Sequence, residues 1–387
     1  MTLRIKVDKI PGFPLPGNPA SIWGRGVPRT TREFFTEVRT PFIRSTPLSV
    51  LDECPRKFLY AYKLGICPKV AERPLTLGSF VHLILKNLFC GRTEEEALQS
   101  CETALRFHQN LIVEACDPTG FLQGGRDVKG VLADLEEDYH KARAMALCFW
   151  RFRPFQAEKW EVLQAPDGTR LVEVMLETRI KGINPIRTPC DLALLNKETK
   201  QVWIVDFKTT SFDPRVRAIP TRISPQLALY RLSLQSHLDH WAHDGLLPPY
   251  EVTGSIHAII KKPTIKYCPD TKDKGGFQCY VERLLQWYKD AEAKDPTNPP
   301  LVLDSNRFSA PVMTSELWGR LKRYSKLSSS PPNFDVFYRA GDSVCLKFNR
   351  PCPYMVLCNS STAMIPDLVR THFNVQFRED VEEQTDV

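Results

Sequence analysis

Two aspartates and a lysine on neighbouring apolar segments are the residues of this sequence best suited to chemistry. Asp206 and Lys208 lie near the end of the apolar run 204–210, where the alternation of side chains along a strand places both on one face. Asp191 lies fifteen residues before Asp206 in a second apolar run, and the turn 196–200 between the runs predicts a hairpin. Two carboxylates and an ammonium group can therefore meet at the end of one sheet. Carboxylate oxygens suit Mg²⁺ or Mn²⁺, so the pattern indicates a metal-dependent phosphodiesterase.

A histidine on an upstream helix can join these residues. The apolar residues of segment 76–89 recur at helical spacing and predict a buried stripe, formed by Leu77, Phe80, Val81, Ile84, Leu85 and Leu88. His82 lies at the edge of that stripe, and Gly78, one turn earlier, leaves room above the imidazole for a metal or a backbone. The alternative is a boundary histidine with an ordinary hydrogen bond.

Two glutamates lie on the alternating segment 172–180. Its apolar residues are expected to share one face of a strand: Val172, Val174, Leu176 and Ile180. Glu173 and Glu177 occupy the other face, where either can reach a metal or face water. Both rank below Asp191 and Asp206 as candidate ligands.

A helix after the second aspartate carries a polar pair. Ser224 can cap this helix and Pro225 fits its first turn. Gln226 and Tyr230 are four residues apart and therefore share a face. Together they can hold a phosphate or a nucleotide, or they can form a partly buried tyrosine with a neighbouring amide.

Taken in order, these residues resemble the motifs of a known nuclease family. The set consists of Gly78, His82, Glu173, Asp191, Asp206, Lys208, Gln226 and Tyr230. It is similar to the RecB-like branch of the PD-(D/E)xK nuclease superfamily, which includes helicase-associated (AddB-type) nuclease domains, CRISPR-adaptation nucleases and phage exonucleases. The resemblance covers roughly residues 46 to 235 and the cysteines near the C-terminus. The chain departs from the family at residues 189–190, where Pro-Cys stands in place of a glycine and an apolar residue.

The resemblance implies a fold and a division of roles. The fold is α/β, a restriction-endonuclease-like core with a mixed central sheet flanked by helices, an N-terminal helical region and a C-terminal cysteine-rich segment. Asp191 and Asp206 would bind Mg²⁺ or Mn²⁺ and His82 would add a ligand. Lys208 would position or activate the attacking water. Glu173 is a further catalytic candidate, and Gln226 and Tyr230 are expected to contact DNA.

Three closely spaced cysteines indicate a second metal site. Cys345, Cys352 and Cys358 fall within fourteen residues, and prolines on both sides of Cys352 favour a loop. Three thiolates leave a four-ligand site incomplete, and Cys54 is the candidate for the fourth. Iron–sulfur nucleases of the RecB-like branch have one such early cysteine and three late ones, which implies a 4Fe-4S cluster that clips the two ends of the chain together. A four-cysteine zinc site is the main alternative, followed by unrelated buried thiols.

Composition sets broad limits on the class of protein. The 387 residues are 42% hydrophobic, and no stretch approaches the ~20 apolar residues of a membrane span. Twelve cysteines without an apolar leader indicate a reducing compartment, expected to be the cytoplasm of a bacterium or of a phage-infected host. The net charge of +7 is compatible with a nucleic-acid partner.

Basic and aromatic residues alternate in the later part of the chain. Basic residues concentrate in 261–266 and 320–326, and four aromatic residues lie between them, Phe277, Tyr280, Trp287 and Tyr288. Such groups can stack on bases and follow a phosphate backbone, or they can form an ordinary solvated surface.

We predict four regions along the chain. They are an N-terminal arm (1–45), a helical region carrying Cys54 and His82 (46–160), the nuclease core (161–295), and a C-terminal segment with the metal-cluster cysteines and an acidic tail (296–387). Helices are expected at 93–112, 131–150 and near 280–293, and a strand at 252–260.

The expected function is a divalent-metal-dependent DNA nuclease, an exonuclease of DNA recombination, repair or degradation. DNA, single-stranded or with free ends, is the expected substrate. No Gly-rich phosphate loop is present, so a helicase or recombinase partner would be a separate chain. Two alternatives remain open: a catalytically inactive nuclease-like protein that binds DNA ends or a recombination partner, and a nuclease directed at RNA.

Overall fold

A mixed β-sheet covered by helices positions the residues named above. The computed structural model describes residues 5–6, 42–68, 76–114, 121–122, 126–152, 154–216, 225–267, 276–297, 299–309, 311–346 and 351–375. The strands are β1 (Ile5–Lys6), β2 (Ile66–Pro68), β3 (Phe121–Leu122), β4 (Arg126–Asp127), β5 (Trp160–Val162), β6 (Val172–Thr178), β7 (Ile186–Asn196), β8 (Val202–Thr210), β9 (Val252–Lys261), β10 (Leu301–Arg307) and β11 (Phe373–Val375).

The helices are numbered here in chain order. They are α1 (Ser45–Glu53), α2 (Pro55–Phe58), a π-helix (Leu59–Lys63), α3 (Thr76–Phe89), α4 (Glu94–Glu114), α5 (Val128–Arg151), α6 (Pro225–His243), α7 (Gly276–Lys294), α8 (Ser315–Ser329), α9 (Asp342–Cys345), α10 (Met355–Cys358), a 3₁₀ turn (Thr362–Met364) and α11 (Ile365–His372). Within the described ranges, none of these helices has the length and apolar character needed to cross a bilayer.

The order of the main sheet is β1-β6-β7-β8-β9-β10, with β5 beside β7. Strands β6, β7 and β8 pair antiparallel, whereas β8 and β9 pair parallel and are joined through α6. The predicted hairpin between β7 and β8 is present, and Asn196 Oδ1 accepts hydrogen bonds from the backbone N–H groups of Glu198 and Thr199 in its turn. The expected mixed central sheet flanked by helices is therefore confirmed.

Helices pack on both faces of this sheet. On one face, α3, α4, α5 and α7 enclose a core with Val205, Phe207 and Ile256 of the sheet. On the other face, α6 packs against Ile204, Val202 and neighbouring strand residues. We call these the α3 core and the α6 core. Because Val205 and Phe207 enter the α3 core, Asp206 between them lies on the α6 face.

A third core joins the segment around α1 and α2 to the elements nearest the C-terminus of the described chain. Residues of α1, α2 and the π-helix pack with α8 and with the C-terminal elements, as in the contacts of Phe58 with Tyr324 and of Tyr60 with Tyr354. We call it the terminal core. The four predicted regions stay a prediction, and most of the arm (1–4 and 7–41) and the acidic tail (376–387) lie outside the described residues.

The predicted single apolar face of 172–180 is wrong. Val172 belongs to the α3 core, but Val174 and Leu176 belong to the α6 core, and Ile180 packs against the terminal core. The physical reason is Glu173, whose φ of 50° interrupts the regular alternation of a strand.

Two of the four aromatic residues expected to stack on bases are buried inside the protein. Tyr280 and Tyr288 are 1% exposed, and their hydroxyl groups donate hydrogen bonds to the backbone carbonyls of Ile265 and Lys261. Helix α7 turns these two rings towards the α3 core because they fall on its apolar face. Neither ring is therefore available to a nucleic acid.

Close strand packing makes Gly254 of β9 a sensitive position. A Cβ atom there would lie 2.5 Å from Trp203 Cζ3 and 2.7 Å from the backbone oxygen of Asn306. We expect Gly254→Ala to reduce the free energy of unfolding by about 1–3 kcal/mol, because the backbone of β10 must move. Urea unfolding followed by circular dichroism measures this loss. Gly319→Ala in α8, where a Cβ meets nothing within 4 Å, is the matched control, and equal effects of both substitutions would contradict the packing argument.

Candidate active site

The backbone of Phe207 anchors two side chains of the site. Its N–H donates a hydrogen bond to Asp191 Oδ2 at 3.0 Å, and its carbonyl lies 3.0 Å from His82 Nε2. Phe207 is the residue between Asp206 and Lys208, and its ring is buried in the α3 core. One buried residue of β8 therefore connects the middle of β7 and the middle of α3 to the Asp-x-Lys segment.

His82, Glu173 and Asp191 form a group that can hold a metal ion. One ligand atom from each lies within 4.8 Å of the other two. His82 Nδ1 is 2.7 Å from Glu173 Oε1 and 3.7 Å from Asp191 Oδ2. Two carboxylates and an imidazole that can present Nδ1 fit Mn²⁺ or Mg²⁺, with hard oxygen ligands predominating.

When no metal is bound, burial and the neighbouring charges together set the pKa values of His82 and Asp191. Burial alone would lower the pKa of His82, but the charges of Asp191 and Glu173 outweigh burial and raise it to about 9. Burial raises the pKa of Asp191, and the charges of Glu173 and Asp206 act in the same direction. The two carboxylates thus favour a cation between them, and a divalent ion can take the place of the imidazole proton.

The register of the sheet explains why Glu173 rather than Glu177 belongs to the site. Val172 faces Leu192 and Val174 faces Cys190, so Glu173 lies opposite Asp191. Glu177 instead forms ion pairs with Arg179 and Arg187. The positive φ of Glu173 is uncommon for a residue with a side chain, and backbone strain of this kind is concentrated at functional sites.

Asp206 lies beside this group and is held by three donors. Its Oδ1 accepts hydrogen bonds from Lys208 Nζ at 2.6 Å and from Gln226 Nε2 at 3.0 Å. Its Oδ2 lies 3.2 Å from His257 Nδ1. Burial favours the protonated form of Asp206, but the hydrogen bond from His257 and the ammonium group of Lys208 outweigh it and hold the pKa below its usual range. Asp206 is therefore a buried carboxylate that stays charged.

The polar pair predicted on α6, Gln226 and Tyr230, is present, but the two side chains lie at different depths from the site. Gln226 Nε2 is 2.6 Å from the hydroxyl oxygen of Tyr230, and Tyr230 is 2% exposed. Burial raises the pKa of Tyr230 well above its ordinary value. The side-chain amide of Gln226 lies between Tyr230 and Asp206, so a hydrogen bond to this amide connects Tyr230 to the site.

The site opens on one side. The side chains of His82, Glu173 and Lys208 are 20–27% exposed, whereas that of Asp206 is 1% exposed. Gly78 packs against β8, where an added Cβ would lie 3.6 Å from Thr209 Oγ1, an ordinary contact distance. The room for a ligand therefore comes from the opening itself, not from a missing side chain at Gly78.

The four predicted cluster cysteines lie in one region next to the terminal core. The pKa of Cys358 is raised to about 11 by burial, with further contributions from the charges of Cys352 and Cys54. Burial raises the pKa of Cys352, and Cys54 and Cys345 act in the same direction. The backbone N–H of Cys352 also donates to the carbonyl of Cys345 at 2.7 Å. Each of the four thiols is thus an electrostatic neighbour of at least one other.

Two parts of the site were not predicted from the sequence. The backbone of Phe207 leaves no signal in residue types. His257 does leave a weak one, because an imidazole among the apolar residues of 256–260 is unusual. Its partner becomes visible only when β9 is paired parallel to β8, which places Asp206 opposite His257.

Comparison with known proteins identifies the family. No curated protein matches the chain significantly. The model of the PD-(D/E)XK nuclease superfamily matches residues 45–300, about two thirds of the chain. This range contains strands β5 to β9 of the main sheet and every residue around Asp191 and Asp206 described above. The chain therefore belongs to the PD-(D/E)XK nuclease superfamily.

Proposed function

We propose that this protein is a divalent-metal-dependent deoxyribonuclease of the RecB-like type that removes nucleotides from DNA ends. Membership of the superfamily implies metal-dependent cleavage of nucleic acid. The observation that carries the proposal is the meeting of His82, Glu173 and Asp191 with the ion pair of Asp206 and Lys208 on the interior strands β7 and β8, where the site is partly open to solvent.

Some side chains of the site would bind the metal ion, and others would act on the DNA substrate. Glu173, Asp191 and His82 would hold Mg²⁺ or Mn²⁺, and Asp206 beside them would offer the ion a further carboxylate oxygen. When bound, the ion supplies a Lewis acid that polarises the scissile phosphate and lowers the pKa of a coordinated water. The Nε2–H of His82, bonded to the Phe207 carbonyl, leaves Nδ1 free for the ion once its proton is lost.

Lys208 and Gln226 act on the substrate side. Lys208 is bonded to Asp206 and partly exposed, so its ammonium group can orient the attacking water and offset the negative charge that develops on the phosphate. Gln226 is the DNA contact of α6, and Tyr230 supports it from behind. Positioning of the DNA strand by these groups contributes to the rate of cleavage as much as their charge does.

The cysteines support a second part of the proposal. Cys54, Cys345, Cys352 and Cys358 would hold a 4Fe-4S cluster, with zinc as the alternative metal. The support is that Cys54 and Cys345 are close enough to raise the pKa of Cys352, that Cys352 and Cys54 do the same for Cys358, and that the backbone of Cys352 is hydrogen-bonded to that of Cys345. Since the terminal core already joins the N-terminal and C-terminal segments, the cluster would add a covalent link at the same junction.

The cellular setting is also part of the proposal. DNA recombination, repair or degradation in a bacterial or phage-infected cytoplasm would supply the DNA ends. A separate helicase or recombinase would present the single strand.

An assay of purified protein with end-labelled DNA tests this function. Single-stranded and double-stranded DNA, each linear and circular, are incubated anaerobically with Mn²⁺ or Mg²⁺ or with a chelator. We expect metal-dependent loss of linear DNA and survival of circles. Cleavage of circles would contradict the exonuclease assignment. Binding without cleavage under every condition would favour an inactive DNA-end-binding protein, and cleavage of RNA alone would favour an RNA-directed nuclease.

A further inference from the structure

His257 stands outside the residues that define the motif, yet it contacts Asp206 directly. The parallel pairing of β8 and β9 places Asp206 opposite His257, and side chains in register on parallel strands point to the same side of a sheet. Nδ1 of His257 lies 3.2 Å from Asp206 Oδ2, and both side chains are 1% exposed. The contact is therefore shielded from water.

The two carboxylate oxygens of Asp206 accept different numbers of hydrogen bonds. Oδ1 accepts from Lys208 and from Gln226, which uses both of its lone pairs. Oδ2 is bonded to His257 and keeps one lone pair. Oδ2 is consequently the oxygen that Asp206 can offer to a cation, and His257 is the donor that sets its direction.

Loss of this donor would have a defined consequence. A buried carboxylate oxygen without a partner costs free energy, and rotation of the carboxylate can relieve that cost. The nearest charged donor is Lys208, so the rotation would bring Oδ2 to its ammonium group. Both the oxygen for the metal and the free proton donors of Lys208 would be lost together.

Packing alone does not account for an imidazole at this position. Among the described residues, Nε2 of His257 is buried and has no hydrogen-bond partner. A leucine would fill comparable space beside the apolar residues Ile256 and Ala258 without a buried unpaired nitrogen. The Nδ1–H group is what distinguishes histidine from that alternative.

We propose that His257 is a positioning residue that holds the carboxylate of Asp206 with one lone pair of Oδ2 open to the divalent cation. This role rests on the proposed nuclease function, because it assigns the cation to the same site. Outer donors of this kind typically change metal affinity or activity by about 10-fold to 100-fold when removed.

Binding of Mn²⁺ to the full chain without DNA tests the proposal. Free Mn²⁺ is measured by electron paramagnetic resonance for wild type and for three variants. His257→Leu removes the donor and is expected to weaken binding by about 10-fold or more. His257→Asn keeps an amide N–H near the position of Nδ1 and is expected to stay within about threefold of wild type. His257→Gln places its amide near Nε2 and is expected to behave like the leucine variant.

A matched control separates this role from the general effect of losing a buried imidazole. His237 lies in α6, is 0% exposed and is no part of the site, so His237→Leu should retain Mn²⁺ binding. In the cleavage assay, His257→Leu should lower kcat with little change in KM for DNA, because the DNA contacts remain.

Each outcome decides between the alternatives. Wild-type affinity in His257→Leu, or equal losses in the asparagine and glutamine variants, would overturn the proposal. If thermal unfolding shows that the leucine variant is not folded, the comparison of asparagine with glutamine carries the test. The expected pattern of Mn²⁺ binding in a protein that leaves DNA intact would support the role of His257 and overturn the nuclease function. A wild-type protein that binds neither Mn²⁺ nor Mg²⁺ would overturn both.

Discussion

Replacement of Lys208 by alanine is expected to slow DNA cleavage by about 10²- to 10⁴-fold while the protein stays folded. The ammonium group of Lys208 is 2.6 Å from Asp206 Oδ1 and 20% exposed, so it can face both the buried carboxylate and an incoming phosphate. Alanine removes the positive charge that offsets the negative charge developing in the transition state. Asp206 keeps its hydrogen bonds from Gln226 and His257, which preserves the local structure.

Single-turnover cleavage of end-labelled linear DNA in Mn²⁺ measures this effect. Asp206→Ala should be at least as slow, because it removes the carboxylate to which Lys208, Gln226 and His257 are all bonded. Lys208→Arg should recover little, since a planar guanidinium does not place a point charge in the same position. Lys289→Ala, at an exposed position of α7, is the matched control and should cleave at the wild-type rate. Wild-type rates in both Lys208→Ala and Asp206→Ala would refute the active-site assignment.

Replacement of Cys352 by serine is expected to abolish binding of the proposed metal cluster and to lower the free energy of unfolding by about 3–5 kcal/mol. The size follows from chain entropy, because a link from Cys54 to the C-terminal segment closes a loop of most of the chain. Cys352 lies between Cys345 and Cys358 in sequence and is influenced by both Cys54 and Cys345. The terminal core should loosen first, because it contains the segments that the cluster would join.

Metal analysis, visible absorption and thermal unfolding under anaerobic conditions measure the outcome. A brown wild-type protein with iron and sulfide would support 4Fe-4S, whereas a colourless protein with stoichiometric zinc would favour the zinc site. Cys90→Ser, at an exposed position outside the terminal core, should retain metal and stability. Equal metal content and stability in Cys352→Ser and wild type would mean that the thiols are unrelated.

Local patterns predicted most of the elements near the site. The helix over 76–89 and the strand from 252 were found within a residue of their observed limits, and the β7–β8 hairpin was found from its turn. These predictions succeeded because helical and strand periodicities depend on neighbouring residues. The strand 301–307 was missed, since its sequence of mixed polar and apolar residues fits the edge of a sheet as well as a loop.

Tertiary contacts decided which of the predicted residues meet. Glu173 and Glu177 are equivalent in an alternating pattern, and only the pairing of β6 with β7 places Glu173 next to Asp191. Likewise, the two rings of Tyr280 and Tyr288 are compatible with a binding surface until α7 is packed against the sheet.

The sequence by itself determined the types of chemical group, their order and the face of β8 that carries Asp206 and Lys208. These follow from covalent geometry, because alternate side chains of a strand must share a face. Only the tertiary structure decided that His257 supports Asp206, that the backbone of Phe207 holds His82 and Asp191, and that Gln226 separates Tyr230 from the site. The reason is that these contacts join segments far apart in the chain, and their partners are selected by strand register and helix packing rather than by local sequence.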